Sequence, residues 1–160
     1  MQIKLVKSKE WENIKEEVHH IEESTFEEDI RYDRDSDDFD SFKNPHAINY
    51  LIYDENIAVG YLMSTRLEDD ERCKRDKEYG KHTTFYLESI AFLPACQGKG
   101  FGRKVFARWL AFVKKRGYKR IVLDATSEGM RKLALAHGFI KVRHIKNWQG
   151  RENWKMEKIL

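Results

Sequence analysis

A glycine-rich stretch in the second half of the chain holds the residues best suited to bind a charged ligand. It consists of Gln97, Gly98, Lys99, Gly100, Phe101, Gly102 and Arg103. Glycine readily adopts positive φ, so alternating glycines can turn successive backbone N–H groups toward one anion. An apolar run precedes the stretch and a helix-patterned segment follows it, so the positive end of a helix would add to the charges of Lys99 and Arg103. This pattern predicts a turn that binds pyrophosphate.

Two common phosphate-binding motifs do not fit the spacing of these glycines. A P-loop requires four residues between its glycines and then Gly-Lys-Ser/Thr, whereas Arg103 and Lys104 follow Gly102 and supply no hydroxyl for magnesium. The dinucleotide-binding motif requires G-x-G-x-x-G, whereas the glycines here fall as G-x-G-x-G. What remains is Gln97-x-x-Gly100-x-Gly102, and a tight glycine turn without a ligand is the alternative interpretation.

Two carboxylates interrupt or follow apolar runs that predict buried strands. Glu88 lies within the run at 85–93, and Asp124 follows the run at 121–123. Partial burial favours the neutral form of a carboxyl group and brings it into the range that suits a general base. The structural alternatives are a solvent-facing or ion-paired role for Glu88 and a helix-capping role for Asp124.

Hydrophobic periodicity and turn residues predict the elements that position these groups. The first half is predicted to contain a strand at 3–6, a helix from an N-cap at Ser8 to about residue 24, an acidic irregular segment at 26–44, a hairpin of strands 47–53 and 57–65, and an exposed charged loop at 67–81. The second half is predicted to contain a strand at 85–93, a helix at 104–116, a strand at 119–126, a helix at 128–136 between Ser127 and Gly138, and strands at 139–145 and 154–160 around a turn at 147–150. The glycine-rich turn thus lies at the first crossing of a strand-helix-strand unit.

Charge and packing in the first half allow further expectations. The acidic segment at 33–40 is expected to be a solvated loop or short helix, and a second interpretation makes it a rim that attracts a cationic acceptor. His19 and His20 are expected to be solvated residues of the first helix. Gly60 within a strand predicts a bulge or close packing.

Length and composition limit the classes of protein to consider. The 160 residues, of which 41% are hydrophobic and 12% aromatic, predict one domain over residues 1–160. A net charge of +3, from 30 basic and 27 acidic residues, argues against a nucleic-acid-binding protein. No apolar run reaches the roughly 20 residues of a membrane span, and residues 1–5 lack the apolar core of a signal peptide. Cys73 and Cys96 lie in no metal-type spacing, so we expect no metal and a cytoplasmic protein.

The motif at residues 97–102 resembles the Q/R-x-x-G-x-G/A signature of the GCN5-related N-acetyltransferases. The predicted element order resembles the fold of that family over essentially the whole chain, and residues 123–129 and 137–139 resemble a local pattern of many members. The resemblance implies an α/β (mixed α+β) fold with a twisted mixed sheet of about six or seven strands flanked by helices. It also implies that the sheet splays open between strands 85–93 and 119–126.

The same resemblance implies acetyl-CoA as the acyl donor. In the family the pantetheine arm pairs like an extra strand with the strand before the glycine turn. Here that arm would pair with the backbone of Ile90, Ala91 and Phe92. The amides of residues 98–103 would hold the pyrophosphate.

The resemblance also suggests catalytic roles for three residues. Glu88 lies nine positions before Gln97, where many members carry an acidic residue, and it would act as general base through water. Asp124 is the second candidate for this role. Tyr86 is a weaker catalytic candidate.

Two positions depart from the pattern of the family. Many members carry a general-acid tyrosine four residues before the Gly-Phe pair, but this chain has Ala134 there, and Ser127 stands where asparagine is common. Three outcomes stay open: the thiolate leaves unaided, Tyr86 or His137 serves instead, or the protein binds acyl-CoA as a regulatory or interaction module with little turnover.

The acceptor implied by the resemblance is an amine. It could belong to a small molecule, a polyamine, or a peptide or protein, and an acyl group other than acetyl stays open. Members of the family are often dimers, so a homodimer is one expected state. We expect no nucleic-acid or membrane partner.

Overall fold

The computed structural model describes residues 1–70, 83–146 and 151–160. The strands in these residues are β1 Gln2–Val6, β2 Asn49–Asp54, β3 Ile57–Arg66, β4 Thr84–Phe92, β5 Arg120–Ala125, β6 Ile140–Lys146 and β7 Glu152–Ile159. The α-helices in them are α1 Trp11–Thr25, α2 Asp40–Lys43, α3 Phe101–Lys115 and α4 Glu128–Ala136. Short 3-10 turns occupy Ser8–Glu10, Asp37–Phe39, Leu67–Asp69 and Pro94–Cys96.

The described strands form a mixed sheet in the order β1-β2-β3-β4-β5-β7-β6. β4 and β5 are parallel, which requires a crossover, and helix α3 lies between them in the chain. The pairs β1–β2, β2–β3, β5–β7 and β6–β7 are antiparallel. The predicted mixed sheet flanked by helices is therefore confirmed. The parallel pairing joins residues 84–87 to residues 120–123, so it involves the first part of the nine-residue strand β4.

The chain divides into two compact units. The first contains Met1–Thr65 and Ser89–Val105, and the second contains Arg66–Glu88 and Phe106–Leu160. In the first unit, the apolar face of α1 packs into a core formed by Val6, Trp11, Ile14, Val18, Ile21, Phe39, Phe42, Leu51, Tyr61, Met63 and Ala91. The prediction of one domain over residues 1–160 stays a prediction.

A two-residue turn joins β2 to β3 in the first unit, so the hairpin is confirmed and its turn is one residue shorter than the three residues at 54–56 that the prediction assigned to it. Asp54 pairs with Ile57, and the two residues between them have positive φ, 49° for Glu55 and 68° for Asn56. Positive φ at both central residues is typical of the turns whose twist matches that of the flanking strands.

The hairpin contains a bulge next to Gly60. Ile52 pairs with Gly60 and Tyr53 pairs with Ala58, so the residue between Ala58 and Gly60 is an extra one in β3. A Cβ at Gly60 would lie 2.8 Å from the carbonyl oxygen of Ala91 and would overlap the ring of Phe92. Both the bulge and the close packing predicted for this glycine are present.

The second unit has an aromatic core beside helices α3 and α4. Phe106 packs against Trp109 and Phe139, with ring centroids 5.5 and 5.7 Å apart, and Trp109 is fully buried. Helix α4 has the ends that the sequence predicts. The hydroxyl of Ser127 accepts a hydrogen bond from the N–H of Met130 at 3.1 Å, and Gly138 follows the helix with φ 79°.

The predicted N-cap at Ser8 is wrong. A 3-10 turn at Ser8–Glu10 precedes α1, and the capping position is Lys7. The N–H of Lys7 donates a hydrogen bond to the carboxylate of Glu10 at 2.8 Å. This carboxylate satisfies an N–H at the start of the turn, so the serine hydroxyl is not needed as a cap.

The solvated position predicted for His19 is wrong, whereas His20 is exposed as expected. His19 is only 5% exposed because the acidic segment folds back over α1 and brings Phe39 and Phe42 into the core. The ring of His19 lies edge-on to Phe39, with centroids 4.8 Å apart, and edge-on to Trp11 at 5.7 Å. Burial lowers the pKa of this histidine.

The predicted exposed loop at 67–81 is described over its first four residues. The prediction of an exposed loop is wrong for Leu67, which is 3% exposed because it packs against Tyr86 and Val122, and for Asp70, which is 7% exposed. The rest of that loop with Cys73, and the predicted turn at 147–150 with Trp148, lie outside the described residues.

Membrane-spanning helices and metal-binding clusters are both absent from the part of the chain that the structure describes. None of its helices is both long and apolar enough to cross a membrane. Three or more His, Cys, Asp or Glu side chains placed to hold a metal ion do not occur among the same residues.

Candidate functional site

The glycine-rich stretch connects β4 to α3 and has positive φ at two of its three glycines. The φ angles are 74° for Gly98 and 80° for Gly100. Helix α3 begins at Phe101, three residues before the predicted start, so Gly102 and Arg103 lie in its first turn. The N–H groups of a first helical turn have no partner within the helix and point toward its N-terminal end. This turn therefore offers an anion both backbone N–H donors and the positive end of the helix dipole.

Positive charge surrounds this turn. Lys99 and Arg103 are exposed, and within the described residues neither forms an ion pair. A Cβ built on Gly98 or Gly100 would meet no atom within 4 Å, so the backbone of both glycines is open to a ligand. These residues fit the pyrophosphate of acetyl-CoA in charge and in hydrogen-bond donors.

The carbonyl of Phe92, at the end of β4, accepts two hydrogen bonds. The side-chain amide of Gln97 donates one at 3.0 Å, and the hydroxyl of Thr25 donates the other at 3.1 Å. The ring of Phe92 also contacts that of Phe101, with centroids 6.4 Å apart. The Gln97 side chain therefore stabilises the end of the strand that precedes the glycine turn.

The backbone of β4 alternates in direction at the residues predicted to pair with the pantetheine arm. The carbonyl of Ala91 points toward Gly60 on β3, and the N–H of Leu93 donates to the carbonyl of Val59 on the same strand at 2.9 Å. Because successive residues of a strand direct their backbone groups to opposite sides, Ile90 and Phe92 direct theirs away from β3. The cofactor-binding role of these residues stays a prediction.

Three predicted catalytic residues lie on one face of the second unit. The phenol of Tyr86 donates a hydrogen bond to the carboxylate of Asp124 at 3.3 Å. Tyr86 and Glu88 are two residues apart in β4, so their side chains point to the same face of the sheet. Tyr86 is 8% exposed, while Glu88 and Asp124 are half-buried. The structure thus joins Tyr86 to Asp124 by a hydrogen bond and places Glu88 on the same face of β4 as Tyr86. The catalytic roles of the three residues stay predictions.

The helix that would carry the general-acid tyrosine offers no replacement at that position. Ala134 is fully buried in α4. His137 caps the C-terminal end of this helix, with its N–H donating to the carbonyl of Ala134 at 3.0 Å, and its ring packs against Phe106 at 5.0 Å. Both contacts give His137 a structural role.

A buried hydrogen-bonded network in the first unit was missed by the sequence analysis. Glu22, 2% exposed, accepts hydrogen bonds from the hydroxyl of Tyr61 and, at 2.7 Å, from the N–H of Tyr32. The hydroxyl of Tyr61 also lies 3.1 Å from that of Ser89 on β4. A signal for it exists in the sequence, because Glu22 lies four residues after Val18 and therefore on the apolar face of α1.

The acidic segment borders a cavity of about 280 Å³ in the first unit. Its floor is aromatic, and its rim carries both signs of charge from Glu12, Lys15, Glu16, Arg34, Asp35 and Lys43. Arg34 bridges Glu16 and Glu23, Lys15 pairs with Glu12, and Lys43 pairs with Asp40. Much of the acidic charge around this cavity is thus neutralised by neighbouring bases.

Solved structures share this fold. The chain superposes on the ribosomal-protein-S18-alanine N-acetyltransferase of Escherichia coli with a TM-score of 0.75 and 16% identity, over 99% of this chain and 92% of that one. The ribosomal-protein-alanine N-acetyltransferase of Brucella melitensis gives 0.72 and 14% over the whole of both chains. The yncA protein of Salmonella typhimurium, solved with its cofactor acetyl-CoA, gives a TM-score of 0.69 and 18% identity over 99% of this chain and 93% of that one.

Sequence comparison finds no match among curated proteins. The sequence model of the acetyltransferase (GNAT) family, however, matches residues 13–139. This match covers most of the chain, including strand β4, the glycine-rich turn and helices α3 and α4. The chain therefore belongs to the acetyltransferase (GNAT) family.

Proposed function

We propose that the protein is an acetyl-CoA-dependent N-acetyltransferase that acetylates a primary amine by direct attack. The observation that carries the proposal is the open glycine turn at the N-terminus of α3, with positive φ at Gly98 and Gly100. Lys99 and Arg103 flank that turn, and within the described residues neither has an ionic partner. Acceptor, mechanism and acyl group are parts of this proposal.

The turn would hold the pyrophosphate of acetyl-CoA. Backbone N–H groups of residues 98–103 supply directional donors, and Lys99 and Arg103 supply charge that the phosphate oxygens require. The backbone groups of Ile90 and Phe92 that point away from β3 supply donors and acceptors for the pantetheine arm. The carbonyl of Phe92 already accepts two hydrogen bonds, so the N–H of Phe92 is the backbone group more available to a ligand.

Glu88 would prepare the acceptor. An amine with a pKa of about 10.4 is only about one part in a thousand neutral near pH 7.4, so it must lose a proton before it attacks. Bound acetyl-CoA supplies the thioester carbonyl that receives the amine. A half-buried carboxylate on β4, next in the chain to the predicted cofactor-binding segment, suits removal of that proton through water.

The leaving thiol would depart without help from the usual tyrosine position, because Ala134 stands there. Tyr86 directs its proton to Asp124 rather than outward. An ordinary thiol has a pKa near 8.5, so a thiolate is a tolerable leaving group near neutral pH. We therefore expect turnover without a dedicated general acid.

The candidate acceptor amines differ in pKa, and therefore in the fraction that is neutral and able to attack near pH 7.4. A peptide α-amine, with a pKa of about 7.7–8.0, is partly neutral at pH 7.4, whereas a lysine or polyamine amine is not. The Escherichia coli and Brucella melitensis enzymes that share the fold are named for acetylating ribosomal-protein alanine. An N-terminal alanine peptide therefore belongs in the first panel of acceptors, beside a lysine peptide and spermidine.

The test combines binding with thiol release. Calorimetry with acetyl-CoA should give a saturable isotherm, and NADH should give none, because the glycine spacing does not fit a dinucleotide. Release of free thiol should depend on one of the three amines. Saturable binding without amine-dependent release would favour the alternative, an acyl-CoA-binding module with little turnover, and no binding would overturn both.

A further inference from the structure

Glu22, Tyr61 and Ser89 form a hydrogen-bonded network whose role in binding the acyl donor rests on the proposed function. Glu22 belongs to α1, Tyr61 to β3 and Ser89 to β4, so three elements of the first unit meet at three side-chain oxygens. Tyr61 is fully buried and Glu22 nearly so. Ser89 is half-buried and forms the outer end of the network.

The protons of the network can be assigned from its geometry. Tyr61 has a single hydroxyl proton and donates it to Glu22, so Ser89 must donate to Tyr61. If Glu22 takes up a proton, the direction reverses: Glu22 donates to Tyr61, and Tyr61 donates to Ser89. In both states the Ser89 hydroxyl stays tied to the buried carboxyl group.

The position of Ser89 in the chain connects this network with the site. Ser89 follows the candidate base Glu88 and precedes Ile90, the first residue predicted to pair with the pantetheine arm. Three residues after Glu22 in α1, Thr25 donates its hydroxyl hydrogen bond to the carbonyl of Phe92. Helix α1 thus holds both ends of the segment 89–92. Glu22 reaches Ser89 through Tyr61, and Thr25 bonds directly to Phe92.

A purely structural role explains the choice of residues less well. A carboxyl group is expensive to bury, and an apolar side chain would pack at this place in α1 without needing partners. The network instead uses its polar atoms to fix the backbone of one strand segment. Ser89 and Glu88 point to opposite faces of β4, so any effect on chemistry must pass through that backbone.

We propose that Glu22 and Tyr61 are positioning residues that hold residues 89–92 of β4, through the Ser89 hydroxyl, where their backbone binds the acyl donor. The side chains themselves touch neither donor nor acceptor. The network acts on binding of acetyl-CoA and on the alignment of its acyl group, while the identity of the acceptor is unaffected.

The test removes the two hydroxyls singly and together. Tyr61→Phe, Ser89→Ala and the double variant are compared with Tyr53→Phe. This control deletes a more exposed hydrogen bond, 2.9 Å long, from a tyrosine of β2 to Glu17 of α1, and β2 is not a neighbour of β4 in the sheet. We expect the dissociation constant for acetyl-CoA to rise about fivefold to tenfold in each single variant, the factor that one hydrogen bond typically supplies. The double variant should bind acetyl-CoA with the same dissociation constant as the single variants, because both substitutions interrupt the same series of hydrogen bonds.

A second readout does not depend on activity or on acetyl-CoA. Amide hydrogen exchange of a peptide covering residues 85–93 should become faster in Tyr61→Phe and Ser89→Ala, with no change in Tyr53→Phe. If Tyr61→Phe fails to fold, the half-buried Ser89→Ala still decides the question. Melting temperatures separate this local effect from global destabilisation.

The outcomes are distinguishable. Unchanged affinity and unchanged exchange in Ser89→Ala would overturn the proposal, as would additive effects of the two substitutions. If the wild-type protein bound no acetyl-CoA, the proposed function would fail. The exchange of residues 85–93 would then decide alone whether the network fixes this segment.

Discussion

The phenol of Tyr86 and the carboxylate of Asp124 are joined by a hydrogen bond of 3.3 Å between neighbouring parallel strands. The bond occupies one oxygen of Asp124, on the face of the sheet toward which Glu88 also points. The hydrogen bond that engages Asp124, together with the place of Glu88 in β4 directly before residues 89–92, is the basis for dividing the catalytic work between the two carboxylates.

Glu88→Gln is expected to lower kcat/KM for the best amine by about a hundredfold or more, because a positioned general base typically contributes that much. Asp124→Asn should lower it less than tenfold. Both constants are measured by thiol release, and the affinity for acetyl-CoA should stay within about twofold. Glu128→Gln, an exposed carboxylate paired with Lys132, is the control. A larger loss in Asp124→Asn than in Glu88→Gln would move the role of base to Asp124.

Gly100→Ala is expected to weaken acetyl-CoA binding at least tenfold. The space around Gly100 is open, so the effect would come from the backbone: φ is 80°, and an L-residue there is disfavoured by roughly 1–2 kcal/mol. Calorimetry measures the affinity, and urea unfolding measures the stability. Gly129→Ala in α4, whose added Cβ would meet only the Ser127 hydroxyl at 4.0 Å, should bind normally. Normal binding by Gly100→Ala would contradict the glycine turn as the pyrophosphate site.

The stability of the protein should depend on pH through Glu22. Burial raises the pKa of Glu22, although the hydrogen bonds from Tyr61 and the Tyr32 N–H oppose it; Asp38 raises it further and Arg31 lowers it. The folded protein then binds this proton more tightly than the unfolded chain. The contribution of Glu22 to the free energy of unfolding is therefore most favourable below the unfolded value of about 4.3 and falls as pH rises toward the folded pKa.

Glu22→Gln removes that dependence. The difference in the free energy of unfolding between Glu22→Gln and wild type should shift in favour of the variant as pH rises from 4 toward neutrality. Urea titrations at several pH values measure this difference. The exposed Glu12, whose pKa is lowered by its hydrogen bond to Lys15, gives a control of opposite sign in Glu12→Gln. A difference for Glu22→Gln that does not change with pH would contradict the raised pKa.

Gly60→Ala is expected to destabilise the protein by about 1–3 kcal/mol, the range for overpacking a tight site. The added Cβ would lie 2.8 Å from the carbonyl oxygen of Ala91, a backbone atom that can move only with β4. Because β4 carries residues 89–92, acetyl-CoA affinity should fall as well. Thermal unfolding and calorimetry measure the two effects, and full stability in Gly60→Ala would show that β3 and β4 are less closely packed than described.

Much of the fold follows from signals that are local in sequence. The cap at Ser127 and the glycine that ends α4 at Gly138 depend on neighbours within a few residues, and both were predicted at their positions. The hairpin was predicted as well, with a turn one residue longer than the one observed. The glycine turn was found for the same reason. The pyrophosphate binding proposed for this turn depends on residue types and spacings that are uncommon in other turns, so the sequence alone indicates it.

Features that depend on distant partners were not predicted. His19 is buried by Phe39, 20 residues away, and Glu22 is satisfied by Tyr61, 39 residues away. A charged or polar residue on a helix is normally solvated, so only the tertiary partner reverses that expectation. Leu67 was missed because one apolar residue in a charged run gives no periodic signal.

The start of α3 was predicted too late for a different reason. Phe101, Gly102 and Arg103 are helical, although Gly102 and the two glycines that precede it, Gly98 and Gly100, usually indicate a loop. Helix propensity is a weak prior, and this helix is stabilised by the packing of its later residues. The consequence for the site is that Arg103 lies on the first helical turn instead of a flexible loop.

The turn at Glu55 and Asn56 offers a reserve of stability for protein engineering. Both residues adopt positive φ, yet neither is glycine, so the hairpin carries conformational strain that an Asn-Gly pair would relieve. Replacing the pair by Asn-Gly should raise the free energy of unfolding by about 1 kcal/mol, measurable by urea titration. A background stabilised in this way would keep variants of the Glu22 network folded and so widen the range of substitutions that can be assayed.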